Sequence, residues 1–342
     1  MKPIINRFVI FSLLIRCWLR RITGRKKSSL QEEKFLLCVP MGGVNDLLCQ
    51  IYSCLEYAEK YQRTLIIDTK KSGLFRDFAE FFEFTEIHTK HITYVDNDLY
   101  EQLNTYTCLP LLCEGRINNY QIRWDKKLCS YTLKNHWRPI SFQKDQPFPQ
   151  QLLVHQDSGG GLNSLKLLRR LKLTQELADL VHQQLDALGD NYVAIHIRNT
   201  DLQSHYKDYF RTMRPKLINQ RILICSDSAE VIHQAKIFFN QSQILTTNSS
   251  SLKHNQCIHE ASNYSSLDAK AKFDAPINAI IDLVALANAE TVYYAEVFRK
   301  DSQKPRTSGF SRLAHNLSKD KFLLKQLIGN SVSALVKDTQ TH

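Results

Sequence analysis

The sequence holds no apolar segment able to cross a membrane. Its N-terminal apolar run, Phe8–Ile15 between Arg7 and Arg16, is eight residues long, against the ~20 that a hydrocarbon layer demands. A secretory cleavage site is missing too, because Cys17-Trp18-Leu19-Arg20-Arg21 stands where small residues would be needed. None of the nine cysteines, at 17, 38, 49, 54, 108, 113, 129, 225 and 257, forms a C-x-x-C pair. The simplest account is reduced, buried thiols in a cytoplasmic protein. Cys38, Cys49 and Cys225 sit inside apolar runs, where a thiol acts as a small hydrophobe. Zinc ligands are scarce: Cys108/Cys113, Cys257/His259 and His88/His91 each lack a matching second pair, so no metal is expected. The folded body also lacks a strong charge. Lys and Arg exceed Asp and Glu by 11, but eight basic groups lie in residues 1–27, ahead of the first acid, Glu32, and the rest of the chain carries 37 basic against 34 acidic groups. A duplex-binding protein spreads basic surface over its body, so nucleic acid is not expected as a partner.

What is present is ordinary globular composition, 43% hydrophobic and 23% charged over 342 residues, a length that suits two domains. Residues 1–30 form a basic and apolar arm with two readings open. In one, apolar residues enter the headgroup boundary while Arg20 to Lys27 attract anionic lipid; in the other, the arm is disordered or core-packed. From Phe35 onward, strand-length apolar runs alternate with helical periodicity, which predicts an α/β fold. Phe35–Val39 reads as a strand, Asp46–Tyr61 as a helix with Leu47, Leu48, Ile51, Leu55 and Ala58 inward, and Arg63–Asp68 as the next strand, making one β-α-β unit. Leu74–Phe84 reads as a Phe-rich helix, residues 85–150 as short strands and loops, and Thr247–Lys272 as a polar loop. A second α/β unit follows: a helix capped by Thr174 and stopped by Gly189, strands Tyr192–Ile197, Arg221–Cys225, Gln243–Thr246 and Thr291–Tyr294, and helices Ser228–Phe239, Asp274–Ala289 and from Ser311. The expected architecture is two Rossmann-like domains, 31–170 and 171–330, facing a cleft, with a tail over 331–342.

In open parallel sheets ligands bind beyond the carboxyl ends of the strands, so those turns carry the candidates. Gly42-Gly43-Val44-Asn45 follows the first strand; it either brings backbone N–H groups to a phosphate or sugar, or serves strand-to-helix geometry. It is not G-x-G-x-x-G. His196 and Arg198 share one side of their strand. They form either an anion clamp, through the arginine fork, or a turn closed by an Arg198–Asp201 pair. Ser226-Asp227-Ser228 is either a helix N-cap at Ser226 or Asp227, or a grip on ribose or base. Thr307-Ser308-Gly309-Phe310-Ser311 enters a helix whose N-terminus caps itself or favours phosphate. Three such polar turns at successive strand ends describe a nucleotide-diphosphate site.

Val193-Ala-Ile-His-Ile-Arg-Asn-Thr-Asp201 resembles the H-x-R-x-[GT]-D motif of the GDP-fucose fucosyltransferase superfamily, particularly its α1,6- and nodulation-factor branch. Ile224-Cys-Ser-Asp227, Ile280-Ile-Asp-Leu283 and Ser308-Gly-Phe-Ser-Arg-Leu-Ala314 look like further segments in the same order. Gly43-Val-Asn45 with Tyr57-Ala58 and Arg63-Thr-Leu looks like the N-terminal one. The resemblance implies a GT-B fold, with an N-terminal acceptor domain and a C-terminal nucleotide-sugar domain. It implies an inverting, metal-independent transferase without a cofactor, which moves fucose from GDP-fucose, or a sugar from another NDP-sugar, to a glycan acceptor. A bacterial capsule, lipopolysaccharide or O-antigen at the inner membrane face is the acceptor it suggests. Arg198 would then grip the diphosphate and His196 would orient it. Ser226, Asp227 and Asp282 would hold ribose or base, and Thr307, Ser308 and Ser311 would close on phosphate. Gly43 and Asn45 would approach from the other domain. Asp96-Asn97-Asp98 becomes a chance D-x-D in a polar loop. The chain departs from the branch at Asn199, which replaces a second arginine, at Val44, and near Tyr206, where a carboxylate is expected. Asp201, His205 and Asp208 therefore stand as candidate bases.

Overall fold

The computed structural model describes residues 33–134, 136–247, 269–299 and 302–329. The arm over 1–30, the tail over 331–342, Cys17, Cys257 and most of the stretch 247–272 lie outside the described residues. The described part opens with the expected β-α-β unit. β1 (Phe35–Cys38) leads into α1 (Val44–Lys60), and β2 (Thr64–Ile67) returns parallel to β1 with Phe35 opposite Thr64. Parallel neighbours need a crossover, and α1 supplies it by burying Leu47, Ile51, Leu55 and Ala58 along one stripe. Next come β3 (His91–Ile92), α2 (Asn97–Leu103), β4 (Cys108–Leu109), β5 (Leu152–His155) and α3 (Asn163–Leu168). The five strands make one parallel sheet in the order β3-β2-β1-β5-β4.

The second unit begins at α4 (Gln175–Leu188) and β6 (Val193–Ile197), then α5 (Tyr206–Met213), β7 (Arg221–Ser226), α6 (Ala229–Phe238) and β8 (Gln243–Leu245). It ends with α7 (Ala269–Asn288), β9 (Val292–Tyr294), α8 (Gly309–Ser318) and α9 (Lys321–Ile328). Its sheet is parallel throughout, in the order β8-β7-β6-β9. Strand alternation divides the core. Leu36, Cys38, Leu65 and Leu153 of the first sheet and Ala194, Leu223 and Val292 of the second join one apolar cluster with α1, α7, α8 and α9. Leu37, Ile66 and Val154 face a second cluster, and Ile195, Ile197 and Ile224 a third. The shared cluster fixes the two sheets against each other.

Several sequence expectations need correction. Leu74–Phe84 is not a helix: it contains a short 3-10 turn, Phe78–Glu80, and a strand, Phe82–Phe84, paired antiparallel with Leu171–Leu173. Phe78, Phe81 and Phe82 are all buried, so the apolar run serves a pocketed turn and a sheet edge rather than a helical stripe. The α7 helix starts at Ala269, inside the stretch read as loop, and runs through Pro276. Ser228, not Ser226 or Asp227, occupies the N-cap of α6, while the Ser226 hydroxyl accepts the Ser228 N–H at 3.2 Å. Asp96 is not in a loop but caps α2, accepting the Leu99 N–H at 2.8 Å. Thr174 does occupy the cap of α4, yet its hydroxyl donates instead to the Glu80 carbonyl at 3.2 Å. The described cysteines are thiols, and all but Cys129 are buried. No helix among the described residues is long and apolar enough to cross a membrane.

Candidate functional site

Parallel register sets the ends of three strands side by side, with His196 opposite both Cys225 and Tyr294, and Ile197 opposite Ser226. His196 is buried, its Nδ1 hydrogen-bonded to the Ser311 hydroxyl at 2.7 Å and its ring 5.0 Å from that of Phe310. Burial, aided by the Arg198 charge, pushes this imidazole down to about 3, so it is neutral at physiological pH. Arg198 donates through Nε and Nη to one Asp201 oxygen at 2.8 and 2.7 Å. The turn-closing pair is therefore present.

That turn is braced from the neighbouring strand. Asp227 accepts the Asn199 backbone N–H at 2.7 Å through one oxygen and the Thr200 hydroxyl at 2.6 Å through the other. The Asn199 side chain accepts the Ser204 N–H at 3.1 Å. Asp282, on α7, accepts from the Thr247 hydroxyl and raises the buried Cys225 thiol, whose own burial is the larger cause. His205 is exposed, with its ring 4.9 Å from that of Phe298. Asp208 is exposed and paired with Arg211.

The opposite wall is the start of α8. Ser308 occupies its N-cap, buried, with half-buried Thr307 before it. The N-terminal domain reaches this point directly: a Cβ on Gly309 would lie 2.9 Å from Asn45 Nδ2, so a larger residue there would have to displace the Asn45 side chain. Asn45 is buried, accepts the Ser164 hydroxyl at 2.8 Å and donates to Asp46 at 3.2 Å. Gly43 is the N-cap residue of α1 and its carbonyl accepts the Leu47 N–H at 2.9 Å. The structure thus gathers His196, Arg198, Asp201, Ser226 and Asp227 at strand ends, ties Ser311 to them, and brings Asn45 to Gly309. Asp282 sits behind β7, and His205 stands at the outer end of the turn.

Sequence reading missed the loop after β5. Gly159 accepts the Gln50 side-chain N–H at 2.6 Å, and Gly161 accepts from Arg312 at 3.3 Å, a bond between the two domains. A Cβ on Gly160, at φ +132°, would lie 2.4 Å from the Cys49 Cβ. The signal was available: three consecutive glycines, Gly159–Gly161, stand four residues beyond the apolar run Leu152–Val154. Arg312 Nε and His315 Nδ1, one turn apart on α8, are buried without a hydrogen-bond partner. Arg63 is structural, buried and donating to the carbonyls of Phe35 at 3.2 Å, Phe148 at 2.6 Å and Gln150 at 2.9 Å. Among the described residues no three His, Cys, Asp or Glu side chains gather as a cation site.

No protein-family model and no curated protein matches the sequence. Solved structures do match. A NodZ α-1,6-fucosyltransferase co-crystallised with GDP aligns over 84% of this chain and 93% of its own, at 19% identity and a TM-score of 0.56. Selenomethionine NodZ fucosyltransferase from Bradyrhizobium gives the same coverage at 20% identity and a TM-score of 0.55. NodZ soaked with GDP-fucose covers 82% of this chain and 91% of its own, at 19% identity and a TM-score of 0.54. The chain has their GT-B fold. In that frame the β6, β7 and β9 ends belong to the C-terminal Rossmann-like domain, and the Gly43–Asn45 turn and the Gly159–Gly161 loop belong to the N-terminal one.

Proposed function

We propose that the protein is an inverting, metal-independent glycosyltransferase that moves fucose from GDP-fucose to a glycan of the bacterial surface. It would work at the cytoplasmic face of the membrane, which residues 1–27 would hold peripherally. One observation carries the reading: the His196–Ser311 bond joins the Arg198 strand end to the N-terminus of α8, opposite Asn45 of the other domain. A guanidinium, a helix dipole and free helical N–H groups then face one cleft, which is the equipment a departing nucleotide diphosphate needs. NodZ crystals of this fold were grown with GDP and soaked with GDP-fucose. In the reaction an acceptor hydroxyl oxygen attacks the sugar C1 from the face opposite the diphosphate. The C1–O bond breaks, GDP leaves with the electron pair, and the hydroxyl proton passes to a base.

Asp201 spends a carboxylate oxygen on Arg198 and thereby holds the clamp in place, so we assign the base to exposed His205. Asp227 and Asp282 act as braces that fix the turn and α7 under the nucleotide. Thermal stabilisation by GDP, UDP, CMP and ADP and donor turnover, measured with and without EDTA and with Arg198→Ala alongside, test this. Selective, EDTA-insensitive response to GDP and GDP-fucose, with a fall of about 10²–10³ in kcat for the variant, is expected. A second reading, another NDP-sugar donor on the same clamp, is favoured by Asn199, whose side chain is folded into the turn on Ser204 where the branch carries an arginine. Selective response to a different nucleotide would establish it.

A further inference from the structure

A cavity of about 460 Å³ opens beyond the carboxyl ends of the N-terminal strands, lined by Met41 after β1, Lys70 and Lys71 after β2, Gln156 after β5, Tyr120, and Lys272 of α7. Its size falls in the range of small-molecule sites, roughly 300–1,000 Å³. Its Met41 stands two residues before Gly43 on the turn that leads to Asn45, in the domain to which the proposed function gives the acceptor. The lining is cationic and lacks a carboxylate. Lys70 is answered by Asp77 at 3.1 Å. Lys71 lies 5.1 Å over the Tyr100 ring, and neither it nor Lys272 has an acidic partner among the described residues. Gln156 supplies an independent indication of a ligand. It is 2% exposed, its Nε2 donates to Met41 Sδ at 3.4 Å, and its Oε1 is buried with no hydrogen-bond partner. A buried carbonyl oxygen without a donor is destabilising, and a ligand hydroxyl would relieve that penalty. Burial keeps the Tyr120 phenol protonated and able to donate.

We infer that this cavity is the acceptor subsite and that it takes a saccharide bearing an anionic group, carboxylate or phosphate. Lys71 and Lys272 would meet the anion, and Gln156 would accept a sugar hydroxyl. The inference rests on the transferase reading, yet its test does not. Full-length protein is titrated calorimetrically with trigalacturonate, its fully methyl-esterified and therefore neutral counterpart, and pyrophosphate, each with and without saturating GDP. The same titrations are run on Lys71→Gln/Lys272→Gln and on Lys71→Arg/Lys272→Arg. Either anion should bind at least tenfold tighter than the neutral trimer. The Gln pair should lose about tenfold, the Arg pair should recover it, and GDP should not displace the trigalacturonate. Equal binding of the neutral trimer, binding by neither anion, indifference to the Gln pair, or displacement of the trigalacturonate by GDP each overturns it. Failure of GDP itself to bind, with the lysine-dependent anion intact, would sink the transferase reading and leave this site standing.

Discussion

Lowering the pH should destabilise this protein through His196. The imidazole is buried between Ser311 and Phe310 and held near 3, while in the unfolded chain it titrates near ~6.5. A folded pKa below the unfolded one means that the unfolded state binds more protons in the window between them. Stability from this group is therefore complete above pH ~6.5 and falls as the pH drops toward 3. Between pH 8 and pH 5 the loss is about 2 kcal/mol, from 1.36 kcal/mol per unit over roughly one and a half units of protonated unfolded chain. That figure hardly depends on the folded value, because pH 5 lies well above it. Urea unfolding of the wild type and of His196→Asn at pH 8, 7, 6 and 5 isolates the term, since every other titrating group is common to both. The variant is expected to be less stable at pH 8, because it forfeits the Ser311 contact, but its pH slope below 6.5 should be shallower by about 1.4 kcal/mol per unit. Parallel slopes would refute the claim that His196 is buried neutral. His155, buried with its pKa pushed well down by burial and by Lys144, predicts a second shift of the same sign, so the two substitutions should be additive.

Three further outcomes follow from the geometry. Gly160→Ala places a Cβ against Cys49 at a backbone angle that side chains avoid, and should cost about 3 kcal/mol in urea unfolding; an unchanged midpoint would mean that the triple-glycine loop is not packed on α1. Asp227→Ala removes two hydrogen bonds from the Asn199-Thr200 turn and should cost about 2–3 kcal/mol. It should weaken GDP binding through misplacement of Arg198, whereas Asp227→Asn retains an acceptor for the Asn199 N–H and should lose less; equal effects would argue that the charge itself touches the ligand. Under the assignment of the base, His205→Gln should lower kcat by about 10²–10⁴ with little change in GDP affinity, and an unaffected rate combined with loss in Asp201→Asn would transfer the role to Asp201.

The parallel sheets were legible because their signals are local and strong. Strand runs such as Arg221–Cys225 are apolar on both faces, which only a doubly covered sheet requires, and α1 and α4 repeat their apolar residues every three to four positions. Each of these elements is found within about two residues of its expected bounds. The segment Leu74–Phe84 misled for the opposite reason. Its phenylalanines mark burial without a period, and their placement depends on Leu171–Leu173, some ninety residues away, which pairs with Phe82–Phe84. A distant partner leaves no trace in a local window. The same holds for α7, whose start is hidden by polar composition and by a proline that reads as a helix breaker.

The site was legible to a different depth. Strand-end logic located the turns, because where a parallel strand stops is set by its own sequence. It could not say what the polar groups touch. Asp227 follows β7 yet spends both oxygens on the turn after β6, and Ser311, a helix residue by its own sequence, spends its hydroxyl on a strand histidine. These pairings arise from the register of β6 against β7 and β9, a three-dimensional fact. The consequence for specificity is direct. If Asp227 braces and Asn199 is folded onto Ser204, then few side chains remain at these strand ends to read a base by charge. Under the proposed function, discrimination between nucleotides would then fall to backbone N–H groups and to the shape of the turn. Substituting Asn199 by arginine would restore a second guanidinium at the cost of the Ser204 contacts. A gain in GDP affinity from that change would show that shape alone had been the weaker reader, and a loss would show that the braced turn is itself the recognition element.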